Sequence, residues 1–414
     1  MLIFSENSGL EVAHRQNIIV VSVAYRLGVF GYMHNEAFLS EDGVMGNFAS
    51  LDQRAALQWV NQHIASIGGD PTDVTITGCS AGGQSVLVHL TSPQSWPYFQ
   101  KALTFSAPIG LPYKTKEEVT PFYNQIIENL SCCKDGDCTV ADLDCLRSKT
   151  TKEIQRASWN RGEMRPDNFP EMATQAAEPF SPVIDGQLLT DQPGNLIARG
   201  ELRPHTPVFH TIQEDEGEMF VNLLFPHRKD SKRLQITPIQ WREMVHNVYG
   251  NNETKVEQVL EQYQPPCDNE HLASCDCAQH AKDWLTDYTW ICPFRAFMTN
   301  QIRSTNPFYA FMMTSTLPHG YWKTPVRIFR SCIDSDKSCH CSDSILYFGM
   351  ARERWEDDPD ELDDITENYI DLLQQIVGNF VRTGNPNDYT NSPTQHPIEP
   401  IWPYYQKPMV SCQF

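Results

Sequence analysis

The stretch VTITGCSAGGQSV, residues 74–86, joins a short apolar segment to a glycine-rich turn. Residues 74–77 are β-branched, which predicts a buried strand, and the residues after the turn have a helical composition. Ser80 lies within Gly78-Cys-Ser-Ala-Gly82, which fits the pattern G-x-S-x-G. A strand, a tight turn and a helix in this order expose a serine as a nucleophile. The alternative is a turn whose glycines only allow close packing, but the flanking elements favour the nucleophile.

The start of the predicted helix supplies a second requirement of this chemistry. Backbone N–H groups at a helix N-terminus lack partners within the helix, and the helix dipole favours negative charge there. The N–H of Ala81 directly follows Ser80 in the chain. It is therefore the candidate donor to the oxyanion that forms when a nucleophile attacks a carbonyl carbon.

The elements around this stretch alternate between predicted strands and helices. Residues 18–24 (IIVVSVA) form a β-branched apolar run and predict a buried strand, and residues 51–67 carry apolar side chains at helical spacing. Further predicted elements are strands at residues 102–106, 207–212 and 307–314 and an amphipathic helix over residues 365–380. This order indicates an α/β fold with a mostly parallel sheet covered by helices on both faces. No repeat or linker divides the chain, so we predict a single domain over residues 1–414.

Charge and hydropathy exclude several classes of function. The 414-residue chain has a formal net charge of −20, from 52 acidic and 32 basic side chains. Such a surface repels phosphate backbones, so we do not expect a nucleic-acid partner. No window approaches the ~18 consecutive apolar residues of a membrane-spanning helix, and the first residues lack the pattern of a signal peptide. The sequence therefore predicts a globular protein without a transmembrane segment.

The 13 cysteines point to an oxidising compartment. Many are clustered, as in residues 132–145, 267–277 and 332–341, and clusters of this kind favour disulfides. Two sequons, at Asn129 and Asn252, predict glycosylation sites and agree with a secreted protein. An odd number of cysteines leaves at least one thiol unpaired within the chain.

Several stretches together resemble the type B carboxylesterases, the cholinesterase-like branch of the α/β-hydrolase fold. They occur in the family's order, span almost the whole chain and comprise residues 18–31 (IIVVSVAYRLGVFG), 46–69, 70–89, 181–186 (SPVIDG), 215–217 (DEG), 380–386 (FVRTGNP) and 402–403 (WP). The resemblance implies a secreted serine hydrolase of small-molecule carboxylic esters that uses neither cofactor nor metal. A second possibility is a non-catalytic adhesion or partner-binding relative, but such relatives usually lose the serine or the histidine.

A serine hydroxyl needs a base to take its proton and an acid to orient that base. In α/β-hydrolases the acid lies between the serine and the histidine in chain order. The predicted strand at residues 207–212 leads to Glu214, Asp215 and Glu216. The family's acid is the glutamate before the glycine of its D-E-G segment, so the resemblance implies Glu216. Solvated charge remains the better interpretation of Glu214.

Two histidines after Glu216 compete as the base. His319 precedes a glycine, as the family's histidine does, whereas His340 lies in Cys-His-Cys. The family's segment continues to Phe-Gly, with the phenylalanine eight residues after the histidine, and Phe348 has that spacing from His340. The resemblance therefore favours His340, with Asp343 at the position of a family glutamate. Cys341 departs from the family's glycine, which puts the geometry of the loop in question.

The cysteines around His340 permit two interpretations. Three thiolates and an imidazole can bind zinc, but adjacent ligands are poor geometry for one tetrahedral ion, so we expect no metal. A disulfide from Cys332 to Cys339 or Cys341 is the preferred alternative. Cys79, where the family commonly has glutamate, is the leading candidate for the unpaired cysteine. Ser85 matches a second serine that the resemblance implies hydrogen-bonds within the triad; the simpler alternative is a helix serine bonded to its own backbone.

The family's oxyanion loop, His-Gly-Gly-Gly, precedes the strand that matches residues 18–24, and no counterpart occurs in this sequence. The resemblance therefore implies an N-terminally truncated member, without the first strands, the oxyanion loop and the signal peptide. With Ala81 as the remaining oxyanion donor, we expect a chain that is poorly folded and weakly active or inactive, since losing one donor costs roughly 10²–10³ in rate.

Overall fold

A computed structural model of the chain describes residues 9–39, 43–158, 180–225, 234–250, 252–264, 275–301, 306–314, 332, 337–348 and 364–388. The strands are β1 (Thr75–Cys79), β2 (Lys101–Phe105), β3 (Lys114–Thr115), β4 (Cys133–Lys134), β5 (Asp137–Ala141), β6 (Val183–Ile184), β7 (Val208–Gln213) and β8 (Phe308–Met313). Four of them form the central sheet in the order β1-β2-β7-β8, with every pairing parallel. The parallel sheet predicted from the alternating elements is therefore confirmed.

Helices lie before the first strand, between the strands and after the last one. They are α1 (Leu10–Gln16), α2 (Gly28–Tyr32), α3 (Phe48–His63), α4 (Ala81–Thr91), α5 (Lys116–Asn129), α6 (Leu143–Ser148), α7 (Thr151–Ser158), α8 (Pro193–Ala198), α9 (Gly217–Leu224), α10 (Pro238–Tyr249), α11 (Glu253–Gln262), α12 (Ala278–Thr286), α13 (Cys292–Gln301), α14 (Ser342–Tyr347) and α15 (Asp364–Thr383). No helix in the described ranges is both long and apolar enough to cross a membrane.

Apolar side chains cover both faces of the central sheet. On one face, Leu103, Phe105 and Phe209 pack against α15, where the Phe209 and Phe380 rings lie 5.5 Å apart. On the other face, the alternate residues of the same strands pack against α4, α8 and α13. Strand residues that are buried on both faces give nearly continuous apolar runs, as the sequence of these strands has. The carboxyl ends of the parallel strands lead into the turns that carry the candidate site.

The prediction of a buried strand at residues 18–24 is wrong. These residues form neither helix nor strand, and Ile19, Val21 and Val23 are 46%, 43% and 39% exposed. A cavity of about 440 Å³ lies between this segment and β1. A strand needs hydrogen bonds from a neighbouring strand, and within the described residues β1 pairs only with β2. The β-branched composition of residues 18–24 is therefore not sufficient to form a strand.

Candidate active site

Ser80 occupies a strained turn between β1 and α4. Its φ of 57° and ψ of −123° lie outside the regions that residues with a Cβ favour. The Ser80 N–H donates to the Phe105 carbonyl at the end of β2 (2.9 Å), and the Ser80 carbonyl accepts from Gln84 N–H (2.9 Å). These bonds fix the turn from both sides, and a strained serine between a strand and a helix is the geometry of a nucleophile elbow.

The glycine positions explain why this sequence forms the turn. A Cβ on Gly78 would lie 2.3 Å from the carbonyl carbon of Gly82, so β1 and the first turn of α4 approach too closely for any side chain there. A Cβ on Gly83 would lie 2.7 Å from the Cβ of Ala107. A Cβ on Gly82 would meet nothing within 4 Å. Close packing therefore requires the first glycine of the motif and not the second.

Glu216 lies just after β7, at the N-cap position of α9, and its side chain is fully buried. One carboxylate oxygen accepts from the Gln213 N–H at 2.8 Å. The Gly217 N–H donates to the hydroxyl of Thr286 (2.8 Å), and a Cβ on Gly217 would lie 2.5 Å from the Lys282 carbonyl oxygen. The glycine after Glu216 is therefore needed because helix α12 packs directly against the backbone at this point.

His340 lies next to this carboxylate. Its Nδ1 is 2.5 Å from Glu216 Oε2, and the imidazole is only 3% exposed. The rings of Phe220 and Trp290 pack edge-on against it, with centroids 4.9 and 5.4 Å away. Within the described residues His340 Nε2 makes no hydrogen bond. A carboxylate that accepts from Nδ1–H leaves Nε2 as the nitrogen that can accept a proton.

The histidine loop is attached to the turn after β7 by further bonds. The Asp215 N–H donates to the Ser338 carbonyl at 3.0 Å, next to a short parallel bridge between Asp215 and Cys339, and the Asp215 carboxylate accepts from the Ser338 N–H at 3.1 Å. Lys337 Nζ donates to the same carboxylate at 2.7 Å. Of the three carboxylates predicted as candidate acids, Glu216 contacts the imidazole and Asp215 instead holds the loop that carries it.

A disulfide joins this loop to the serine turn. Cys79 precedes Ser80, Cys341 follows His340, and the two form a disulfide with Cα atoms 6.2 Å apart. The prediction that Cys79 is unpaired is therefore wrong: in the described residues the free thiol is the buried Cys277. Local sequence gave no signal for a bond between residues 262 positions apart. The predicted bridge from Cys332 is confirmed, with Cys339 as its partner.

Ser106 bonds both β7 and the histidine loop, and sequence reasoning missed it. It is fully buried with a φ of 48°, and its N–H donates to the Thr211 carbonyl at 2.8 Å. Its hydroxyl accepts from the Cys341 N–H (3.0 Å), and its carbonyl accepts from the Trp290 indole (3.0 Å). Its position one residue after β2, beside the Ser80 turn, was the available signal.

A second buried carboxyl lies in the helix that follows His340. Asp343 in α14 is fully buried and hydrogen-bonds to the Thr211 hydroxyl. Burial raises the pKa of Asp343 to about 7, the bond to Thr211 opposes the rise, and the nearby Glu216 charge adds to it. Thr211 and Asp343 thereby join β7 to the helix that follows His340.

Ser85 contacts the interior of the elbow. Its hydroxyl donates to the Ala81 carbonyl (3.0 Å) and accepts from the Gln53 amide (3.1 Å). Gln53 also bonds His89 Nε2 at 3.0 Å, and burial lowers the pKa of His89 to about 4. These contacts include the bond to its own helix backbone expected of a helix serine, and a role for Ser85 within the triad stays a prediction.

Three further sequence predictions can be located. The two sequon asparagines are exposed, Asn129 at the end of α5 and Asn252 as the cap of α11. The competing base His319 lies outside the described residues. The sulfurs of Cys339 and Cys341 are in disulfides, so they are not the thiolates that a zinc site needs. No group of metal-ligating side chains occurs in the described part of the chain.

The chain is similar in sequence to several known proteins. The sequence profile of the carboxylesterase family matches residues 4–411. The chain belongs to the carboxylesterase family. Similar relatives are the Crystal protein of Dictyostelium discoideum (29% identity; 93% of this chain and 62% of the relative), an acetylcholinesterase of Bungarus fasciatus (28%; 92% and 58%) and a cholinesterase of Mus musculus (32%; 76% and 50%).

Membership of the carboxylesterase family confirms the predicted α/β-hydrolase fold, in agreement with the parallel sheet and its helices. The chain spans about 50–62% of the length of these carboxylesterase relatives.

Proposed function

We propose that the chain hydrolyses carboxylic esters through an acyl-enzyme intermediate, with Ser80 as nucleophile, His340 as base and Glu216 as the acid that orients it. The contact between His340 Nδ1 and the buried Glu216 carboxylate, at 2.5 Å, carries this proposal. It supports an imidazole that donates from Nδ1 to Glu216 and presents Nε2 as the nitrogen that accepts a proton. The disulfide between the neighbours of Ser80 and His340 supports their closeness in space.

The reaction then proceeds in two stages. Ser80 Oγ attacks the ester carbonyl carbon while His340 Nε2 takes its proton, and Glu216 stabilises the imidazolium. The carbonyl oxygen becomes an oxyanion, to which the Ala81 N–H donates. When the alkoxide leaves, it takes the proton from Nε2 and the acyl group stays on Ser80. Water repeats the sequence, releases the carboxylic acid and restores the hydroxyl.

The environment proposed for this chemistry is extracellular or lumenal. Four disulfides with described partners support an oxidising compartment, and the exposed sequons at Asn129 and Asn252 support glycosylation. The ligand we propose is a small-molecule ester.

A fluorophosphonate probe tests the proposal, because it reacts covalently with an activated serine and reports even a slow enzyme. We expect labelling of the chain at Ser80, identified by peptide mass spectrometry, together with hydrolysis of p-nitrophenyl acetate. Ser80→Ala should abolish both, and His340→Ala should lower both at least roughly 10³-fold.

Ser66→Ala is the matched control, because Ser66 is exposed and its hydroxyl donates to the backbone carbonyl of His63. It should leave labelling and hydrolysis unchanged. An unlabelled wild-type chain, or hydrolysis that survives Ser80→Ala, contradicts the proposal. Absence of labelling together with specific cell-surface binding is the result expected of an adhesion domain.

A further inference from the structure

The Cys79–Cys341 disulfide differs from the other described disulfides in what it connects. Cys132–Cys145, Cys133–Cys138 and Cys332–Cys339 close loops of 13, 5 and 7 residues, whereas Cys79 and Cys341 are 262 residues apart. One cysteine directly precedes the proposed nucleophile, and the other directly follows the proposed base. The bond therefore crosses the site between the two groups that exchange a proton.

In the part of the chain that the structure describes, the hydrogen bonds of the histidine loop run to segments other than the serine turn. His340 and Ser338 of the histidine loop bind Glu216 and Asp215 in the turn after β7, so these bonds fix the loop to the acid and not to the serine. The Cys341 N–H donates to Ser106 Oγ at 3.0 Å, one residue beyond β2. The Ser80 N–H donates to the neighbouring Phe105 carbonyl. The serine turn and the histidine loop are therefore linked indirectly, by hydrogen bonds through residues 105–106, and directly by the disulfide.

The backbone is strained at both ends of the Cys79–Cys341 disulfide. Ser80 and Cys341 both have positive φ, at 57° and 60°. A non-glycine residue in that conformation persists only when its surroundings hold it there. The disulfide lies within one residue of both strained positions. Opening the disulfide removes a bond that helps to hold both the serine turn and the histidine loop in these conformations.

We propose that the Cys79–Cys341 disulfide positions His340 Nε2 against Ser80 Oγ, and that its reduction by a dithiol reversibly lowers turnover. This inference rests on the proposed esterase function. A displacement of about 1 Å between reacting groups can cost roughly 10²-fold in rate. Cys79 and Cys341 are positioning residues here, since neither contacts the reacting atoms. The Cys79 side chain is partly exposed, which gives a small reductant access to the bond.

The redox step is a two-electron exchange. A dithiol thiolate attacks one sulfur of the pair, which forms a mixed disulfide and releases the other cysteine as a thiolate. The second thiol of the reductant then closes its own ring and releases the first cysteine. The reductant ends as a cyclic disulfide, and the protein gains two protonated thiols. Air or oxidised glutathione reverses the exchange.

The experiment measures kcat and KM for p-nitrophenyl acetate in the oxidised chain, after dithiothreitol, and after reoxidation, with the state of each cysteine read by iodoacetamide mass spectrometry. We expect kcat to fall by roughly 10–10² with KM within about twofold, and to return on reoxidation. The rate of Ser80 labelling by a fluorophosphonate should fall by the same factor, since it depends on the same base.

A double variant separates this bond from the others that dithiothreitol opens. Cys79→Ala with Cys341→Gly removes it without new strain, because glycine accepts the φ of 60° at position 341. We expect the lowered kcat of the reduced wild type and no further effect of dithiothreitol. Cys133→Ala with Cys138→Ala removes a disulfide of the β4–β5 hairpin and should leave kcat unchanged.

The possible results separate two failures. An oxidised chain that the fluorophosphonate does not label overturns the proposed function and this inference with it. A labelled chain whose kcat is the same with the bond open, or whose hairpin control loses as much activity as the Cys79→Ala, Cys341→Gly variant, overturns this inference alone. Cooperative urea unfolding of the double variant is required to exclude a general loss of structure. If the Cys79→Ala, Cys341→Gly variant does not fold, Cys79→Ser with Cys341→Ser is the second pair to test.

Discussion

The two sides of the candidate site are built in different ways. The elbow side, residues 75–91, is one continuous strand, turn and helix whose shape follows from contacts among close neighbours in sequence. The acid–base side consists of residues 213–217 and 337–343, which lie more than 100 positions apart and are held together by hydrogen bonds. A local pattern can therefore specify the first side, whereas the second exists only once distant segments have packed.

The largest expected effect comes from the elbow side. Gly78→Ala places a Cβ 2.3 Å from the Gly82 backbone, where neither β1 nor α4 can yield without losing its own contacts. We expect a loss of about 3 kcal/mol or more in the free energy of unfolding, measured in urea, and no detectable Ser80 labelling.

Gly82→Ala is the matched control, because the same methyl group there meets nothing within 4 Å. Alanine also suits a helix better than glycine by about 1 kcal/mol, so this variant should be at least as stable as the wild type. If both substitutions destabilised the protein equally, the elbow would not depend on the close approach at Gly78.

Sequence reasoning succeeded where local sterics decide the structure. The G-x-S-x-G pattern between a strand and a helix predicted the turn at Ser80. The family resemblance, through the spacing from His340 to Phe348, favoured the histidine that lies beside Glu216. It failed where the structure depends on a distant partner. Residues 18–24 have strand composition but pair with no described strand, and Cys79 has no local sign of its partner Cys341.

A substitution on the acid–base side should lower kcat without lowering the stability of the fold. In Glu216→Gln the amide oxygen can still accept from the Gln213 N–H, while the NH₂ group faces His340 Nδ1. Nδ1 must then accept, so the proton moves to Nε2, the nitrogen that has to take the serine proton. We expect kcat to fall roughly 10⁴-fold, with KM nearly unchanged.

Glu214→Gln is the matched control for that variant, since it changes the same residue type two positions away without touching the imidazole. It should keep wild-type kcat. Urea unfolding of Glu216→Gln should stay within about 1 kcal/mol of the wild type. A kcat within tenfold of the wild type would mean that Glu216 does not set the tautomer of His340.

The smallest expected effect concerns how the free energy of unfolding depends on pH. The two sides of the site contribute to this dependence with opposite signs. On the acid–base side, burial raises the pKa of Asp343 from 3.8 to about 7, so between these values the folded state holds a proton that the unfolded state has lost. Its contribution to stability is therefore lost as the pH rises. On the elbow side, burial lowers the pKa of His89 from 6.5 to about 4, so its contribution is lost as the pH falls through that window.

Asp343→Asn should expose this opposition. The amide keeps a partner for the Thr211 hydroxyl but cannot ionise. The variant therefore loses the contribution of residue 343, which decreases as the pH rises, and keeps the contribution of His89, which increases. Urea unfolding of the variant should give a free energy that rises more steeply than in the wild type between pH 4 and 6.5, and a gain of roughly 1–3 kcal/mol at pH 8. Asp144→Asn, at an exposed position of α6, provides the baseline for removing a carboxylate. Parallel curves for wild type and Asp343→Asn would show that Asp343 is ionised in the folded protein throughout, and the two sides would then not differ in the sign of their response.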